Sequence, residues 1–471
     1  MKKSSILLIL ILVSAIMQAQ ERKQPIAGKP PVVNIKKPQS FTLANGLTVM
    51  IVENHKLPKV TFNLTIDNPP FAEGNKKGVD ELCSNLIGNG STKISKEDFN
   101  EEVDFMGATI DFSSNSAHAS SLSKFSKRTL ELLAYGALDP NFTQEELNKE
   151  KAKLVEGLRS QEKSVSAIAS RMVNALSFGK NHPSGEFITE ATLANITLED
   201  VIKNYNSNFV PQNAYLAIVG DIKYNEIKPV VEQLFGSWKK TNSPTTIYPD
   251  PVNVPTTQIN FIDVPNAVQS EISLVNTYNL RMNHKDFFPA VIASYILGGG
   301  FNSYLNMNLR EAHGWTYGAS TNIGAGKYVT NIRSASAVKN NVTDSAVVEF
   351  IKEIKKIRTE KVTTEQLNNA KAGYIGRFVM KAEKPESVAR YALNTKTEDL
   401  PDDFYENYIK TINAVTKEDV LAAANKYFLI DNSRIIIVGK AKEVIPGLEK
   451  LNIPISYFDK YGNPVDKPKF Q

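Results

Sequence analysis

An internal repeat constrains this chain more than any other feature of its sequence. Thr143-Gln-Glu-Glu-Leu-Asn148 returns as Thr363-Thr-Glu-Gln-Leu-Asn368, 220 residues later. Ala217-Ile-Val-Gly220 returns as Ile436-Ile-Val-Gly439, 219 residues later. Matches in one order at nearly one offset predict two similar halves of about 210 residues each. Two such halves often face inward across a cleft, and clefts between domains are favoured ligand sites.

The order of predicted elements agrees with the repeat. Each half reads as strands followed by helices, then one more strand and a closing helix, which is an α/β (layered α+β) arrangement. The first half opens with a hairpin whose turn is Asn45-Gly46, between alternating apolar residues. A linker at 243–256 contains four prolines, which helices and central strands do not tolerate. We therefore predict a first domain at 39–242 and a second domain at 257–471.

The N-terminus has the pattern of a secretory signal. Lys2 and Lys3 precede an apolar run from Ile6 to Met17, which is short for a membrane span. We predict a signal peptide at 1–19 and a flexible Lys- and Pro-rich segment at 20–38. Export to a bacterial periplasm follows, with no stable membrane span once the signal is removed.

Net charge, cysteine count and histidine spacing argue against several classes of function. The formal net charge of +5 is too mild to indicate a nucleic-acid-binding protein. The single cysteine, Cys83, cannot form an internal disulfide, and its place on an apolar helical run predicts buried packing. No two of the five histidines lie within four residues of each other. Spacing therefore gives no indication of a histidine-based metal site.

The stretch from Gly298 to Gly318 carries the residues that most suggest ligand binding. Its three leading glycines follow an apolar helical run and predict a sharp turn of the backbone. A short helix is expected to carry Arg310, and a β-leaning segment to begin near Tyr317 after a turn at Gly314. Arginine offers a planar donor fork, and tyrosine offers a hydrogen bond and a stacking face. The alternative is an ordinary connection with a surface Arg and a core Tyr.

Six stretches resemble the insulinase/pitrilysin family of zinc metallopeptidases. They are FTLANGLTVMIVENHKLPKVTFNLTID, GNGSTKIS, MGATID, NHPSGEFITEATLANITLEDV, AYLAIVGDI and GGGFNSYLNMNLREAHGWTYG. They are spread along the chain, so the resemblance extends over nearly all of its mature part. The resemblance implies two homologous halves, each with a mixed, mostly antiparallel sheet packed with helices. The halves are expected to face each other in a clam-like arrangement.

The family's metal site should lie on the helix near Lys77–Ile87. Active members carry His-x-x-Glu-His there, in which two histidines bind zinc and the glutamate activates the bound water. The similar positions here hold Glu81, Ser84 and Asn85, and Glu156 falls near the third ligand's position. Serine cannot replace a carboxylate base, and asparagine is a weak zinc ligand. The resemblance therefore implies a degenerate zinc motif and no metal in this chain.

The first half lacks the zinc motif, but the second half keeps the residue types that the family uses to hold its substrate. Arg310 and Tyr317 stand at the family's spacing for the pair that holds the peptide near the scissile bond. Some bacterial members divide the work between two chains, one with the zinc motif and one with this pair. The present sequence is similar to the second kind. Tyr304 departs from the family, because many members have an arginine there, and its role is left open.

These features lead to a non-catalytic, peptide-substrate-binding subunit of an exported heteromeric zinc metallopeptidase. Its expected partners are a zinc-bearing subunit of the same family and a peptide substrate, with no nucleic acid. It needs no cofactor itself and contributes metalloendopeptidase activity only within the pair. The alternatives are a scaffold of the same fold with no peptidase role, a chain that binds zinc by itself, and a metal-independent enzyme that uses Cys83.

Overall fold

The computed structural model describes residues 37–241 and 247–469, which lie within one compact unit. The predicted signal peptide at 1–19 and nearly all of the segment 20–38 lie outside the described residues. The described part of the linker, 247–256, forms neither helix nor strand, as its prolines predict. No described helix is long and apolar enough to cross a membrane.

Six strands form the sheet of the first half. They are β1 (Gln39–Thr42), β2 (Thr48–Glu53), β3 (Lys59–Ile66), β4 (Thr109–Ser113), β5 (Ser116–Leu122) and β6 (Ala214–Gly220). Their order across the sheet is β1-β2-β6-β3-β5-β4, and of these pairs β2–β6 alone is parallel. The predicted hairpin β1–β2 is confirmed, and the Asn45 side-chain amide fixes its loop by donating to the Phe235 carbonyl at 2.7 Å.

Seven strands form the sheet of the second half. They are β7 (Gln258–Asp263), β8 (Gln269–Tyr278), β9 (Ala319–Asn322), β10 (Thr330–Lys339), β11 (Arg434–Gly439), β12 (Ile455–Phe458) and β13 (Pro464–Val465). Their order is β13-β12-β7-β11-β8-β10-β9. The five strands β7-β11-β8-β10-β9 repeat the order of β2-β6-β3-β5-β4 in the first sheet. Two mixed, mostly antiparallel sheets with the same strand order confirm the predicted repeat.

Helices surround both sheets. Those of the first half are α1 (Val79–Leu86), α2 (Lys96–Met106), α3 (Ser126–Leu138), α4 (Gln144–Gln161), α5 (Val165–Phe178), α6 (Glu190–Ala194), α7 (Leu198–Asn208) and α8 (Tyr224–Phe235). Those of the second half are α9 (Phe287–Ser294), α10 (Tyr304–Asn306), α11 (Thr343–Thr359), α12 (Thr364–Ala382), α13 (Pro385–Thr397), α14 (Tyr408–Ala414), α15 (Lys417–Tyr427) and α16 (Ala441–Leu448). The repeated letters partly encode helix starts, because Thr143 and Thr363 accept backbone N–H bonds as caps of α4 and α12.

Each half also packs one helix onto the sheet of the other half. Apolar residues of α5 in the first half, Met172 and Val173 among them, pack against Val275 and Ile436 of the second sheet. The equivalent helix of the second half, α13, packs Ala389 against the first sheet. The halves therefore face each other across two exchanged helices, which cover part of each inner sheet face. Successive residues of a strand point to opposite faces of the sheet. Strand β11 therefore contributes apolar side chains both to the core of its own half and to the contact with α5.

Polar contacts close the junction between the halves. Lys327 of the β9–β10 loop pairs with Asp67, which follows β3. The turn before β13 reaches back to the first half, where the Tyr461 hydroxyl donates to Glu162 at 2.6 Å. These contacts and the exchanged helices join the halves through buried area as well as charge. We expect the two halves to unfold together.

Candidate functional site

Helix α1 occupies the position where the resemblance places a zinc site, and a buried carboxylate fixes its N-terminus. The Glu73 side chain accepts the backbone N–H groups of Gly78 at 2.9 Å and Asp80 at 3.0 Å. A buried Glu186 accepts the Glu73 and Gly74 N–H groups in turn. Both carboxylates contact the Lys77 ammonium, at 3.3 Å for Glu186. Lysine and the helix N-terminus thus neutralise the two acids.

Packing divides α1 into an inner and an outer face. Its buried residues are Val79, Leu82, Cys83 and Leu86. Glu81 and Asn85 are exposed, so two of the three motif positions lie on the outer face. The Ser84 hydroxyl accepts the backbone N–H of Ser114 at 2.9 Å and therefore serves to hold the β4–β5 turn. The three motif positions therefore hold one carboxylate, one hydroxyl that is already hydrogen-bonded, and one amide.

The structure places Glu156 away from this face. Its side chain is 76% exposed and lies 3.5 Å from Arg159. The next residue of α4, Gly157, lines the cavity of about 380 Å³ that contains Glu81. Because successive helix residues differ by about 100° in direction, Glu156 points elsewhere. No third carboxylate ligand comes from this position.

The donor set does not fit zinc, which takes three or four nitrogen, sulfur or carboxylate ligands. Within residues 37–241 and 247–469, no three His, Cys, Asp or Glu side chains converge as metal ligands. Arg171 of α5 lines the same cavity as Glu81, with its guanidinium 5.2 Å from the Phe187 ring centroid. This cation would repel a divalent metal. Burial raises the pKa of Glu81, which disfavours the charged ligand form.

Cys83 is fully buried, as predicted, and it is a poor nucleophile. Burial raises the pKa of its thiol to about 12, and the nearby Asp80 carboxylate acts in the same direction. The reactive form of cysteine is the thiolate, which this environment suppresses at neutral pH. The structure therefore argues against the metal-independent enzyme that would use Cys83.

In the second half, the segment Gly298–Gly318 is shaped by two π-helical turns. The first, Tyr295–Gly299, continues α9, and the second, Met307–Ala312, continues α10 and carries Arg310. Such turns widen a helix and occur often at functional sites. The short helix expected at Arg310 is thus partly a π-turn. The following turn occurs at Gly314, which has a φ of +64°.

The glycine triplet is required for close packing rather than for a left-handed backbone. None of Gly298, Gly299 and Gly300 has a left-handed backbone conformation among the residues described here. A Cβ on Gly298 would instead lie 2.3 Å from the Thr321 backbone nitrogen. Glycine is required there because the helix end packs directly against β9. The triplet therefore seats the segment on the sheet edge.

Arg310 is held beside an exposed aromatic ring. Its guanidinium carbon lies 4.9 Å from the Phe301 ring centroid, and its Nε lies 3.4 Å from a Glu311 carboxylate oxygen. Its side chain is 40% exposed. Both partners belong to the same segment, so they orient the guanidinium without burying it. Donor groups remain accessible to a ligand from outside the chain.

Tyr317 is 93% exposed, which is unusual for a large aromatic residue. It lies just before β9, which begins at Ala319, so it is outside the strand in which it was expected. Its neighbours are fixed, because the Ser336 hydroxyl lies 2.8 Å from Thr316 Oγ1 and 2.9 Å from the Gly318 carbonyl oxygen. A rigid backbone thus presents a free phenol, which excludes the core role considered above.

Tyr304 has a structural environment. Its hydroxyl lies 3.1 Å from Gln366 Oε1, and the Lys356 ammonium lies 4.5 Å from its ring centroid. Gln366 also accepts the Thr363 backbone N–H at the start of α12. The tyrosine therefore joins α10 to α11 and α12. Arg310 and Tyr317, by contrast, form no polar contact with each other within the described chain.

Two further polar residues escaped the sequence reasoning. Glu271 of β8 and Arg333 of β10 line one cavity on the inner face of the second sheet, next to Gly318. The available signal was strand alternation, since Arg333 stands at an inward-facing position between small residues. Burying a charged side chain at such a position is costly unless it has a partner.

Comparison with known proteins agrees with this geometry. Residues 195–374 match the family described as the peptidase M16 inactive domain.

This part of the chain is similar to the M16 peptidase family.

This match confirms the resemblance to insulinase/pitrilysin peptidases, which make up M16. The matched M16 region includes the whole segment Gly298–Gly318. A Bacillus subtilis protein named uncharacterized zinc protease YmxG is 21% identical over 84% of this chain and 97% of its own length. The Helicobacter pylori protein named non-peptidase homolog YmxG is 19% identical over 84% of this chain and 92% of its own length.

Solved structures show the same M16 fold. A peptidase M16 inactive domain from Pseudomonas fluorescens superposes with a TM-score of 0.77 at 21% identity, covering 86% of this chain and 98% of that one. The periplasmic protease PqqL from Escherichia coli gives a TM-score of 0.69 at 15% identity. The match covers 92% of this chain and 51% of PqqL, so this chain spans about half the length of that protease. At these identities the likeness concerns the fold.

Proposed function

We propose that this M16 chain is a non-catalytic, peptide-binding subunit of an exported zinc metallopeptidase, whose zinc and general base come from a second chain. The observation that carries the proposal is the contrast between α1 and the segment Gly298–Gly318. Helix α1 has no zinc donor set, whereas Arg310 and Tyr317 are held accessible on a fixed backbone. A chain so built can hold a peptide but needs another chain to cut it.

The chemistry assigned to the pair follows from accessibility. The Arg310 guanidinium would donate to a peptide carbonyl, and the Tyr317 hydroxyl would donate to the oxyanion that forms during hydrolysis. Donors aimed at a developing negative charge lower the barrier when water is excluded. Closure against a partner would supply that exclusion. Phe301, Met307 and Tyr317 of this segment are exposed apolar side chains, as a contact surface requires.

Export to the periplasm is part of the proposal. The apolar N-terminal run supports it, and so does the fold likeness to PqqL, which is itself a periplasmic protease. PqqL is about twice the length of the matched region, and a structure of its first half is covered to 99% by this chain. Two chains of this size could together reproduce such an enzyme. We propose this arrangement as a heterodimer.

A scaffold of the same fold is the second candidate, and the exchanged helices favour it. They join the halves through a buried apolar contact, which suits a rigid structural part. A scaffold has no use for an exposed tyrosine on a fixed turn. It also predicts assembly without hydrolysis. The two candidates therefore differ in one measurable property, the turnover of the assembled pair.

The test is to express this chain with an M16 chain that carries an intact His-x-x-Glu-His. Size-exclusion chromatography measures the complex, and a quenched fluorescent unfolded peptide measures cleavage. We expect the pair to cleave and each chain alone to be inactive or nearly so. A partner that cleaves equally fast alone would contradict the proposal. A stable pair that does not cleave would favour the scaffold.

A further inference from the structure

A polar trough lies on the inner face of the second sheet, beside the segment that carries Tyr317. Its volume is about 490 Å³, and helix α5 borders it, since the Asn331 side-chain amide donates to Asn174 Oδ1 of α5 at 3.4 Å. Strands β8, β9 and β10 form its floor. Its lining includes Glu271, Gly318, Ser320, Asn331, Arg333 and Ala335.

Strand register explains the shape of this trough. Ala335 of β10 stands between Ser320 of β9 and Ser273 of β8, so the middle row of the floor consists of small side chains. Arg333 belongs to the row on one side, and Glu271 to the row on the other. Two long charged side chains therefore flank a low floor. An extended chain can lie in such a depression parallel to the strands.

Arg333 leans across the floor and keeps donors free. Its Nε donates to the Ser273 hydroxyl at 2.9 Å, which draws the guanidinium from its own row toward the middle row. Its two terminal nitrogens have no hydrogen-bond partner among the residues of the described ranges. Burial lowers the pKa of Arg333, although the nearby Glu271 opposes this effect. Arginine nevertheless stays charged at neutral pH.

Glu271 is half-buried and lacks a partner. Among the described residues, no hydrogen-bond donor or cation lies within bonding distance, and the separation from the Arg333 guanidinium exceeds the 4.0 Å of an ion pair. Burial raises the pKa of Glu271, and Arg333 lowers it by less. A half-buried charge without a partner is costly. The two charges face one cavity but do not neutralise each other by contact.

We propose that the trough binds an extended peptide segment that places a basic side chain on Glu271 and a backbone carbonyl on Arg333. The Ser273 position reached by Arg333 is two residues from Glu271 along β8, which is about 7 Å. Extended peptides repeat their groups on one face at that spacing. This inference rests on the proposed function and adds to it the class of substrate.

The surroundings favour this occupant over other ligands. An apolar ligand would leave the half-buried Glu271 carboxylate facing it without a partner. A divalent cation would face the Arg333 guanidinium. A peptide supplies carbonyl oxygens for the arginine and a cation for the glutamate. Gly318 lines the trough and follows Tyr317 directly, so one peptide could pass from the trough to the tyrosine.

The experiment measures binding of fluorescein-labelled peptides to this chain alone by anisotropy. Three peptides differ only at one central residue, which is Lys, Gln or Glu. We expect the Lys peptide to bind at least about tenfold more tightly than the Glu peptide, as charge-assisted bonds imply. Glu271→Gln should abolish this preference, and Glu271→Lys should reverse it. Arg333→Gln should weaken all three peptides alike.

The exposed Glu360→Gln is the matched control and should retain the preference. Circular dichroism melting shows that each variant is folded, and the Gln variants keep the test valid if Glu271→Lys does not fold. Binding of all three peptides with equal affinity by the unaltered chain would overturn the trough as a site but leave the proposed function standing. Failure of the unaltered chain to bind any of the peptides would overturn both.

Discussion

The two halves of this chain share one strand order, yet equivalent parts of them have opposite chemistry. Helix α1 follows β3 in the first half, and helix α9 follows β8 in the second. Around α1 the polar groups are satisfied internally, by Glu73, Lys77 and Glu186. After α9, the segment Gly298–Gly318 leaves Arg310 and Tyr317 open to solvent.

This contrast teaches where to look for function in a repeated fold. In the first half, the buried polar groups at the start of α1 serve helix capping and ion pairing. In the second half, glycines and two π-helical turns hold exposed side chains in place. Accessible, unpartnered groups on a rigid backbone indicate binding. Satisfied groups indicate stability.

The largest effect is expected at Lys77, whose ammonium pairs with the two buried carboxylates at the start of α1. Lys77→Met leaves the Glu73 and Glu186 carboxylates without their common cation. Uncompensated buried charges cost about 3–5 kcal/mol, so the free energy of unfolding should fall by that amount in urea titrations. Lys228→Met, which removes an exposed pair at 3.9 Å, is the control and should cost at most about 1 kcal/mol. Equal losses would show that the α1 network is not special.

The next effect tests the opposite side of the comparison. Arg310→Ala and Tyr317→Phe should each reduce turnover of the assembled pair by about 10²–10³, the usual loss of one oxyanion donor. Unfolding of this chain should change by less than about 0.5 kcal/mol, because both groups are exposed. The exposed Tyr328→Phe is the control and should keep full turnover. Unchanged turnover in both variants would remove the clamp role.

A moderate effect is expected at Gly298, where the segment Gly298–Gly318 packs against β9. Gly298→Ala forces a methyl group against the Thr321 backbone, so it should destabilise the chain by about 1–3 kcal/mol. Turnover of the pair should fall as well, since the segment would move from the sheet edge. Gly326→Ala is the control, because nothing lies within 4 Å of its added Cβ. A neutral Gly298→Ala would show that the close approach is not required.

The smallest effect is expected at Asp200, an aspartate that has an equivalent in the second half. A Lys76 ammonium holds the pKa of Asp200 down at about 2, below its usual value near 3.9. The unfolded chain binds that proton more tightly, so the contribution is complete above about pH 4 and is lost as pH falls through about 2. Asp200→Asn should cost about 1–2 kcal/mol at pH 7 and flatten the acid limb of the stability profile.

The equivalent Asp419 accepts the Thr416 backbone N–H at the start of α15, and among the described residues no lysine lies within ion-pair distance of it. Asp419→Asn is therefore the matched control, and its loss should be smaller and change the acid limb less. Guanidinium unfolding measured from pH 2 to pH 7 gives both values. Identical profiles for the two variants would contradict the role given to Lys76.

Much of the fold followed from the repeat, and the remainder depended on contacts that no local pattern encodes. The letters around Thr143 and Thr363 predicted equivalent helices because capping is local. The apolar face of α5 predicted burial, but periodicity does not say against which sheet. The exchange of α5 and α13 between the halves therefore had to come from the structure.

The candidate site was predictable to a similar extent. The missing zinc motif at Glu81, Ser84 and Asn85 could be read directly, and so could the presence of Arg310 and Tyr317. Whether Glu156 or Gly157 faces the cavity depends on a single residue of helix rotation. The role of Gly298 depends on the approach of a strand that is distant in sequence. The trough depends on the register between β8, β9 and β10.

Zinc content of the isolated chain is the most direct test of a divided active site. The purified chain is dialysed against zinc and then against metal-free buffer, and bound metal is measured per mole of protein. We expect well below one zinc per chain, with one zinc in the assembled pair carried by the partner. Zinc bound at unit stoichiometry by this chain alone would contradict the division of labour between the two chains.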